Sequence, residues 1–258
     1  MKKSLVAVLM IAVLVFSLAA CGGSSDDTAK DKVVYKVGTE PTFPPFDTTD
    51  EDQNIVGLDM DLIKAIGEDQ DFDVEFENLS FDGLIPALKA GNIDIVAAGM
   101  NKDDEDRQKE VDFSDSYYES KLFVAVTEDN TTIKSVEDLT PDMKVAAQTG
   151  TTGASKVKEL KDAGKIKEAV ILDGLDTCMM KLINGDVSAV INDKPVTEAY
   201  MKKQPDKIKM VGEALNAENY GFAVQKGNAE LVEKINNGLK HIKENGTYDK
   251  LVDEWFNK

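Results

Sequence analysis

Asp193 closes the apolar run Val187-Ser-Ala-Val-Ile-Asn192, where a carboxylate is costly to bury without a counter-charge. Either it faces a cation, or it caps the helix that begins near Pro195, since Asp is a favoured N-cap and Pro suits a first helical turn. Gly150-Thr151-Thr152 precedes a helical pattern that starts near Ala154. Backbone N–H groups and hydroxyls at such a point can face an anion, although the segment also reads as a plain helix start. Arg107 lies in the charged run Lys102–Lys109, where it is either a solvated surface group or a planar fork able to grip a carboxylate. Each charge-assisted bond from such a fork contributes about 1.5–3 kcal/mol when sheltered. The single histidine, His241, sits in a charged helical context. That argues against a His-based metal site, and no nucleophile–base motif stands out. The available chemistry is recognition of charge rather than bond-making, with no metal, cofactor or catalytic residue expected.

The N-terminus indicates where this chemistry takes place. Lys2 and Lys3 precede an apolar run, Leu5 to Leu18, followed by Ala19-Ala20-Cys21-Gly22. The run is shorter than the ~20 residues that span hydrocarbon, so residues 1–20 read as a secretory leader. The junction resembles the lipobox of bacterial lipoproteins, which implies cleavage before Cys21, acylation of its thiol (palmitate) and anchoring at the outer face of the cytoplasmic membrane. Each buried acyl methylene contributes about 0.8 kcal/mol. An ordinary signal peptide followed by an accidental cysteine is the alternative. Residues 21–32 are small, polar and charged, as in a flexible tether. With Cys21 lipidated, Cys178 has no disulfide partner. The formal charge is −18, and loss of Lys2 and Lys3 makes the mature chain two units more negative. Such a field disfavours nucleic acid and anionic headgroups.

From Val33 onward, strand-like runs alternate with helical patterns, which argues for α/β architecture with largely parallel sheets. Strands are expected at Val33–Gly38, Val74–Leu79, Ile93–Ala98, Leu122–Thr127, Lys144–Gln148, Ala169–Leu172, Val187–Asn192 and Tyr220–Gln225. Helices are expected at Asp59–Asp69, Gly83–Ala90, Ala154–Ala163, Thr177–Ile183, Pro195–Lys203 and Ala229–Glu244. A weak internal repeat matches the segment from Leu84 through Gly91 to Gly99 with that from Cys178 through Gly185 to Asp193. Both read as helix, glycine stop, buried strand. Gly99 and Asp193 then end equivalent strands, at the edge where open α/β sheets bind ligands.

The sequence also carries a set of segments in a familiar order: Gly38-Thr-Glu-Pro-Thr-Phe-Pro-Pro-Phe46, Gly57-Leu-Asp-Met-Asp-Leu62, Phe81-Asp-Gly-Leu-Ile-Pro-Ala-Leu88, Gly99-Met100 leading to Arg107, Val111-Asp-Phe-Ser-Asp-Ser-Tyr-Tyr118, Gly150-Thr-Thr152, Asp193, and Gly246-Thr-Tyr-Asp-Lys-Leu251 before Trp255-Phe256. From Val33 to the C-terminus the chain resembles the polar amino-acid group of extracytoplasmic solute-binding proteins, the capture subunits of ABC importers. The resemblance implies a two-lobe periplasmic-binding-protein-like fold with two hinge strands and a central ligand cleft. Lobe 1 would comprise residues 33–122 and 221–258, and lobe 2 residues 123–220. The crossings are expected near Leu122–Ala125 and Tyr220–Val224. The partners implied are a free amino acid, a permease with its ATPase subunits, and the membrane through the lipid anchor, with the protein itself a monomer and no nucleic acid involved.

A free amino acid carries a carboxylate and an ammonium on one carbon, and Arg107 and Asp193 suit them as planar cation and anion. By family position Arg107 clamps the carboxylate, Thr152 holds its second oxygen beside Thr151, and Asp193 receives the ammonium with the Gly99 carbonyl. The Gly99–Arg107 spacing is one residue longer than the family's, and Asn101 stands where Thr or Ser is usual; its amide still offers a donor. Phe43, Leu58 and Phe81 would line the first-lobe wall, unless Phe81 is a helix-start staple. Glu40 falls at an acidic position that touches the tip of the ligand side chain, and Gln148 adds a neutral polar group. An acidic tip leans toward a cationic or amide-bearing side chain. Two alternatives share the cleft: an enzyme resembling the cyclic-acid dehydratases of this fold, and a ligand sensor. Cys21→Ser should shift the protein out of the membrane fraction while leaving its ligand affinity unchanged. Fractionation that finds the variant still membrane-bound would sink the lipobox assignment.

Overall fold

The computed structural model describes residues 32–257; the leader, Cys21 and the tether up to residue 31 lie outside them. Strand β1 (Val33–Thr39) pairs in parallel with β4 (Phe72–Asn78) on one side and β5 (Ile95–Val96) on the other. Beyond β5 the sheet continues antiparallel, through β13 (Ala223–Gln225) to β6 (Val111–Phe113). A second sheet repeats the plan. Its parallel trio is β9 (Glu168–Leu172), β8 (Lys144–Gln148) and β10 (Ala189–Asp193), followed by antiparallel β7 (Tyr118–Thr127) and β11 (Ile208–Val211). Thr48–Thr49 (β2) and Ile55–Val56 (β3) form a small ladder of their own.

The helices follow the apolar periodicity. They are α1 (Leu58–Gln70), α2 (Phe81–Lys89), α3 (Glu105–Glu110), α4 (Thr152–Asp162), α5 (Leu175–Ile183), α6 (Lys194–Lys203), α7 (Ala229–Glu244) and α8 (Thr247–Phe256). Leu58, Leu62 and Ile66 make a buried stripe along α1 at four-residue spacing, and Leu231, Ile235, Leu239 and Ile242 do the same on α7. Each such fully buried Leu or Ile contributes about 1.5–3 kcal/mol. The two helices approach closely at Gly238, where an added Cβ would stand 2.8 Å from Ile66 Cγ2.

The repeat seen in the sequence is present. Gly91 and Gly185 follow α2 and α5 with φ of 72° and 78°, the left-handed turn that ends a helix at low cost only with glycine. Each leads into a strand, β5 or β10; Asp193 ends β10, and Gly99 follows three residues after β5. The expected crossing is displaced. Leu122–Ala125 pair with Val190–Asp193 inside the second sheet, and Ala223–Val224 pair inside the first. The segments that run between the sheets lie earlier, where Tyr118–Lys121 of β7 pair with β12 (Ala217–Tyr220). The single strand expected over Tyr220–Gln225 is two strands, β12 and β13, because Gly221 and Phe222 interrupt the ladder.

Candidate functional site

Three elements meet where β7 and β12 cross. The Asp193 carboxylate ends β10, is 4% exposed, and accepts from Ser120 Oγ at 2.9 Å and Tyr220 Oη at 2.5 Å, both on Oδ1. Asp193 does occupy the N-cap position of α6, but its side chain makes no capping bond. Burial raises its pKa well above the usual carboxylate range, reinforced by repulsion from Glu218. Arg107 is 9% exposed. Asp104, the N-cap of α3, accepts from the Arg107 backbone N–H at 3.0 Å, which aims the side chain inward. Nη1 donates to the Asn101 carbonyl at 3.1 Å, Nη2 to the Gly150 carbonyl at 2.9 Å, and the guanidinium lies 5.4 Å from the Phe81 ring centre. A guanidinium has five N–H donors, so the fork keeps capacity for a carboxylate. Burial lowers its pKa, opposed by Asp104, Glu218 and Asp193.

A second cluster bridges the sheets on the other side. Glu40, just past β1, is 7% exposed and accepts on Oε2 from Gln148 Nε2 at 2.7 Å and Thr42 Oγ1 at 2.8 Å. Gln148 also donates to the Asp173 carbonyl. Burial is the main cause of an upward shift at Glu40. Gly99 packs against Phe43, whose Cε1 would be 2.8 Å from an added Cβ, and Phe43 stands 6.4 Å from the Tyr220 ring.

Several residues expected at the ligand have duties in the fold as well. Leu58 is fully buried in the core because it starts the α1 stripe, so it lines no accessible wall. The Thr151 hydroxyl is committed as the α4 N-cap, accepting from Ala154 N–H at 3.0 Å and donating to the Gln148 carbonyl at 2.7 Å; Thr152 is the first helical residue and borders a hollow with Leu122 and Ser155. The Asn101 side-chain oxygen accepts from the backbone N–H groups of Asp103 and Asn219, tying its loop to β12. Phe81 is the first residue of α2 rather than a staple, and it supports Arg107.

Other residues of the site were not legible as such in the sequence. Besides Ser120, Glu218 and Tyr220, they are Asp59, Tyr117 and Asp47. Asp59 Oδ2 accepts from Gly99 N–H at 2.8 Å and Tyr117 Oη at 2.7 Å, fixing the strand end that carries Gly99. Asp47 Oδ2 accepts from Thr39 Oγ1 at 2.9 Å. The other oxygen of each carboxyl is buried without a partner. Burial pushes Asp59 up to about 7 and Asp47 well upward, with repulsion from Asp59 and Glu40 adding to the latter.

With this geometry in place, comparison with known proteins is decisive. The family of bacterial extracellular solute-binding proteins, family 3, matches residues 35–258. The chain belongs to that family. A probable histidine-binding protein of Neisseria gonorrhoeae is 34% identical, covering 100% of this chain and 97% of that protein. An ancestral arginine-binding protein solved with arginine bound superposes with a TM-score of 0.82 at 45% identity, covering 86% of this chain and 98% of that one. A third relative, an ancestral amino acid-binding protein described as a precursor of cyclohexadienyl dehydratase, gives a TM-score of 0.79 at 38% identity over 86% of this chain and 95% of that one. As a member of the family, the protein binds a solute outside the cytoplasm, on a two-lobe α/β fold.

The Asp47–Asp59 pair makes stability pH-dependent. Their native pKa values lie above the unfolded value near 4, so the folded state holds more protons and stability falls as pH rises from about 4 to about 7. Asp59→Asn should flatten that fall, its thermal midpoint gaining on the wild type between pH 5 and pH 8. An unchanged difference across the range, read by thermal melting, would count against the raised Asp59 carboxyl as the cause of the fall.

Proposed function

We propose that the protein captures a polar amino acid, with a lean to cationic or amide side chains, and delivers it to the permease of an ABC importer while lipid-anchored through Cys21. The observation that carries this is a buried guanidinium and a buried carboxylate whose described bonds go to carbonyls and hydroxyls rather than to each other. A zwitterion supplies the missing counter-charges. Arg107 takes the ligand carboxylate, with Thr152 at the start of α4. Asp193 and the Gly99 carbonyl take the ammonium. Phe43 and Phe81 flank the aliphatic part, while Glu40 and Gln148 read the distal end. The lobes divide at the β7–β12 crossing, which serves as the hinge. Capture without catalysis is favoured because the converging groups are fixed ions and donors. Cys178 is no nucleophile, being buried with its thiol pushed up to about 12.

A thermal-shift panel of the twenty amino acids on the mature protein tests the function, since a ligand at a hundredfold its Kd adds about 2.7 kcal/mol to stability. No shift with any of them would overturn it. Arg107→Ala should cost roughly 2–5 kcal/mol of binding, as for a sheltered charge pair losing one partner; near-native affinity by calorimetry would remove Arg107 from the clamp. Glu40→Gln should weaken cationic ligands by at least about tenfold, or ~1.4 kcal/mol, with glutamine little changed or improved. Should calorimetry find cationic and neutral ligands equally affected, the distal reading of Glu40 fails.

A further inference from the structure

Glu218 lies on β12 and is 2% exposed. It stands directly opposite Ser120 on β7. Opposed residues of an antiparallel pair share a face, with Cβ atoms about 4.5–5.5 Å apart, and alternation puts i and i+2 on that same face. Glu218 and Tyr220 are therefore on one face of β12, matched to Tyr118, Ser120 and Leu122 on β7. Asp193 stands opposite Leu122 in the adjoining ladder. Its Oδ1 receives the hydroxyls of both Ser120 and Tyr220, and β10 and β12 each pair with β7, with Glu218 close enough to Asp193 to repel it. Arg107 reaches the same place from α3, because Asn101, whose carbonyl it bonds, is tied through its side chain to Asn219, the residue after Glu218. The described hydrogen bond to the Glu218 carboxylate comes from Asn216 Nδ2 at 3.0 Å, on Oε1.

Two carboxylates and one guanidinium on a buried face leave an excess negative charge. A single ammonium has three N–H donors, more than Asp193 alone needs to offer acceptors for. Resting on the reading of the cleft as an amino-acid site, we propose that Glu218 is the second carboxylate of the ammonium subsite, so that the ligand's α-ammonium lies between Asp193 and Glu218. Before the amino acid arrives, burial and the repulsion of Glu218 favour the protonated form of Asp193. The charged and titratable groups around it are Arg107 with Asp104 on α3, and Tyr220 on β12. The incoming ammonium displaces that proton, which leaves to solvent. No covalent bond changes beyond this one O–H.

Calorimetry on the mature protein tests the assignment with L-arginine, L-lysine, L-histidine and L-glutamine, each against its α-desamino analogue, which keeps the carboxylate and the side chain. Glu218→Gln should weaken the amino acid by at least about tenfold and the desamino analogue by less than about twofold. In the wild type, the apparent binding enthalpy near pH 7 should vary with buffer ionisation enthalpy for the amino acid, reporting proton release, and not for the analogue. Glu218→Asp, which keeps the charge on a shorter arm, should show an intermediate loss confined to the ammonium-bearing ligand. Equal losses for both ligand types, no loss at all, or no proton release in the wild type would overturn the role of Glu218. If the wild type binds none of the twenty amino acids, the functional reading fails and this inference with it; if it binds them but the variants do not discriminate, this inference alone fails.

Discussion

The Asp193 carboxylate is buried on the second sheet yet held by hydroxyls from both strands that run between the sheets, Ser120 of β7 and Tyr220 of β12. A carboxylate out of water is stable only while its lone pairs are satisfied. The geometry of the crossing is thus tied to the charge state of Asp193. If the crossing twists, the donors move, and if the charge is neutralised, the donors lose part of what holds them.

Burial works against each ion of the site, because desolving a charge costs several kcal/mol even after relaxation. For Arg107 desolvation is the largest influence on its titration, and the surrounding carboxylates only oppose it. Two backbone carbonyls hold the guanidinium without neutralising it. On the reading proposed above, a partner bearing the opposite charges meets groups already in place, and preorganisation of this kind lowers the ordering cost of binding. Asp47 and Asp59 belong to a different layer. They touch the site through Gly99, whose N–H Asp59 holds, and burial favours the protonated form of both carboxyls, which eases their mutual repulsion beneath the strand end.

What could be read from the sequence was whatever is local or periodic. The glycine stops at Gly91 and Gly185, the helical stripes and the alternation of strands all depend on neighbours in the chain, and they appear in the structure where the pattern puts them. Asp193 stood out because a carboxylate is unusual at the end of an apolar run, and Arg107, in a charged run, stood out only through the family resemblance. Glu218 did not. Ala217-Glu-Asn-Tyr220 is too short and polar to show strand alternation, and its burial comes from pairing with Ser120, nearly a hundred residues away in the chain. Asp59 was hidden for a similar reason. In the first turn of α1 it looks like Asp61, which stays half-buried and accepts from Trp255 Nε1 at 2.8 Å, and only the arrival of Gly99 and Tyr117 distinguishes the two. α8 was missed because its packing, not a cap, defines it: its N-cap is Gly246, with no side-chain bond. Leu58 was misread in the opposite direction, since a position beside the cleft in the chain became the first rung of a core stripe.

The separation of elements also bears on selectivity. On the proposed reading, groups common to every amino acid meet Arg107, Asp193 and Glu218, all anchored at or near the crossing, whereas Glu40 follows β1 and Gln148 ends β8. The Glu40–Gln148 bond at 2.7 Å spans the two sheets without involving the crossing strands. A distal cation that displaces the Gln148 amide from Glu40 exchanges a neutral donor for a charged one, and charge-assisted bonds are roughly twice as strong. A distal amide exchanges like for like and gains little. On that reading, changes at these two residues retune which side chain is preferred while the recognition of carboxylate and ammonium stays as it is.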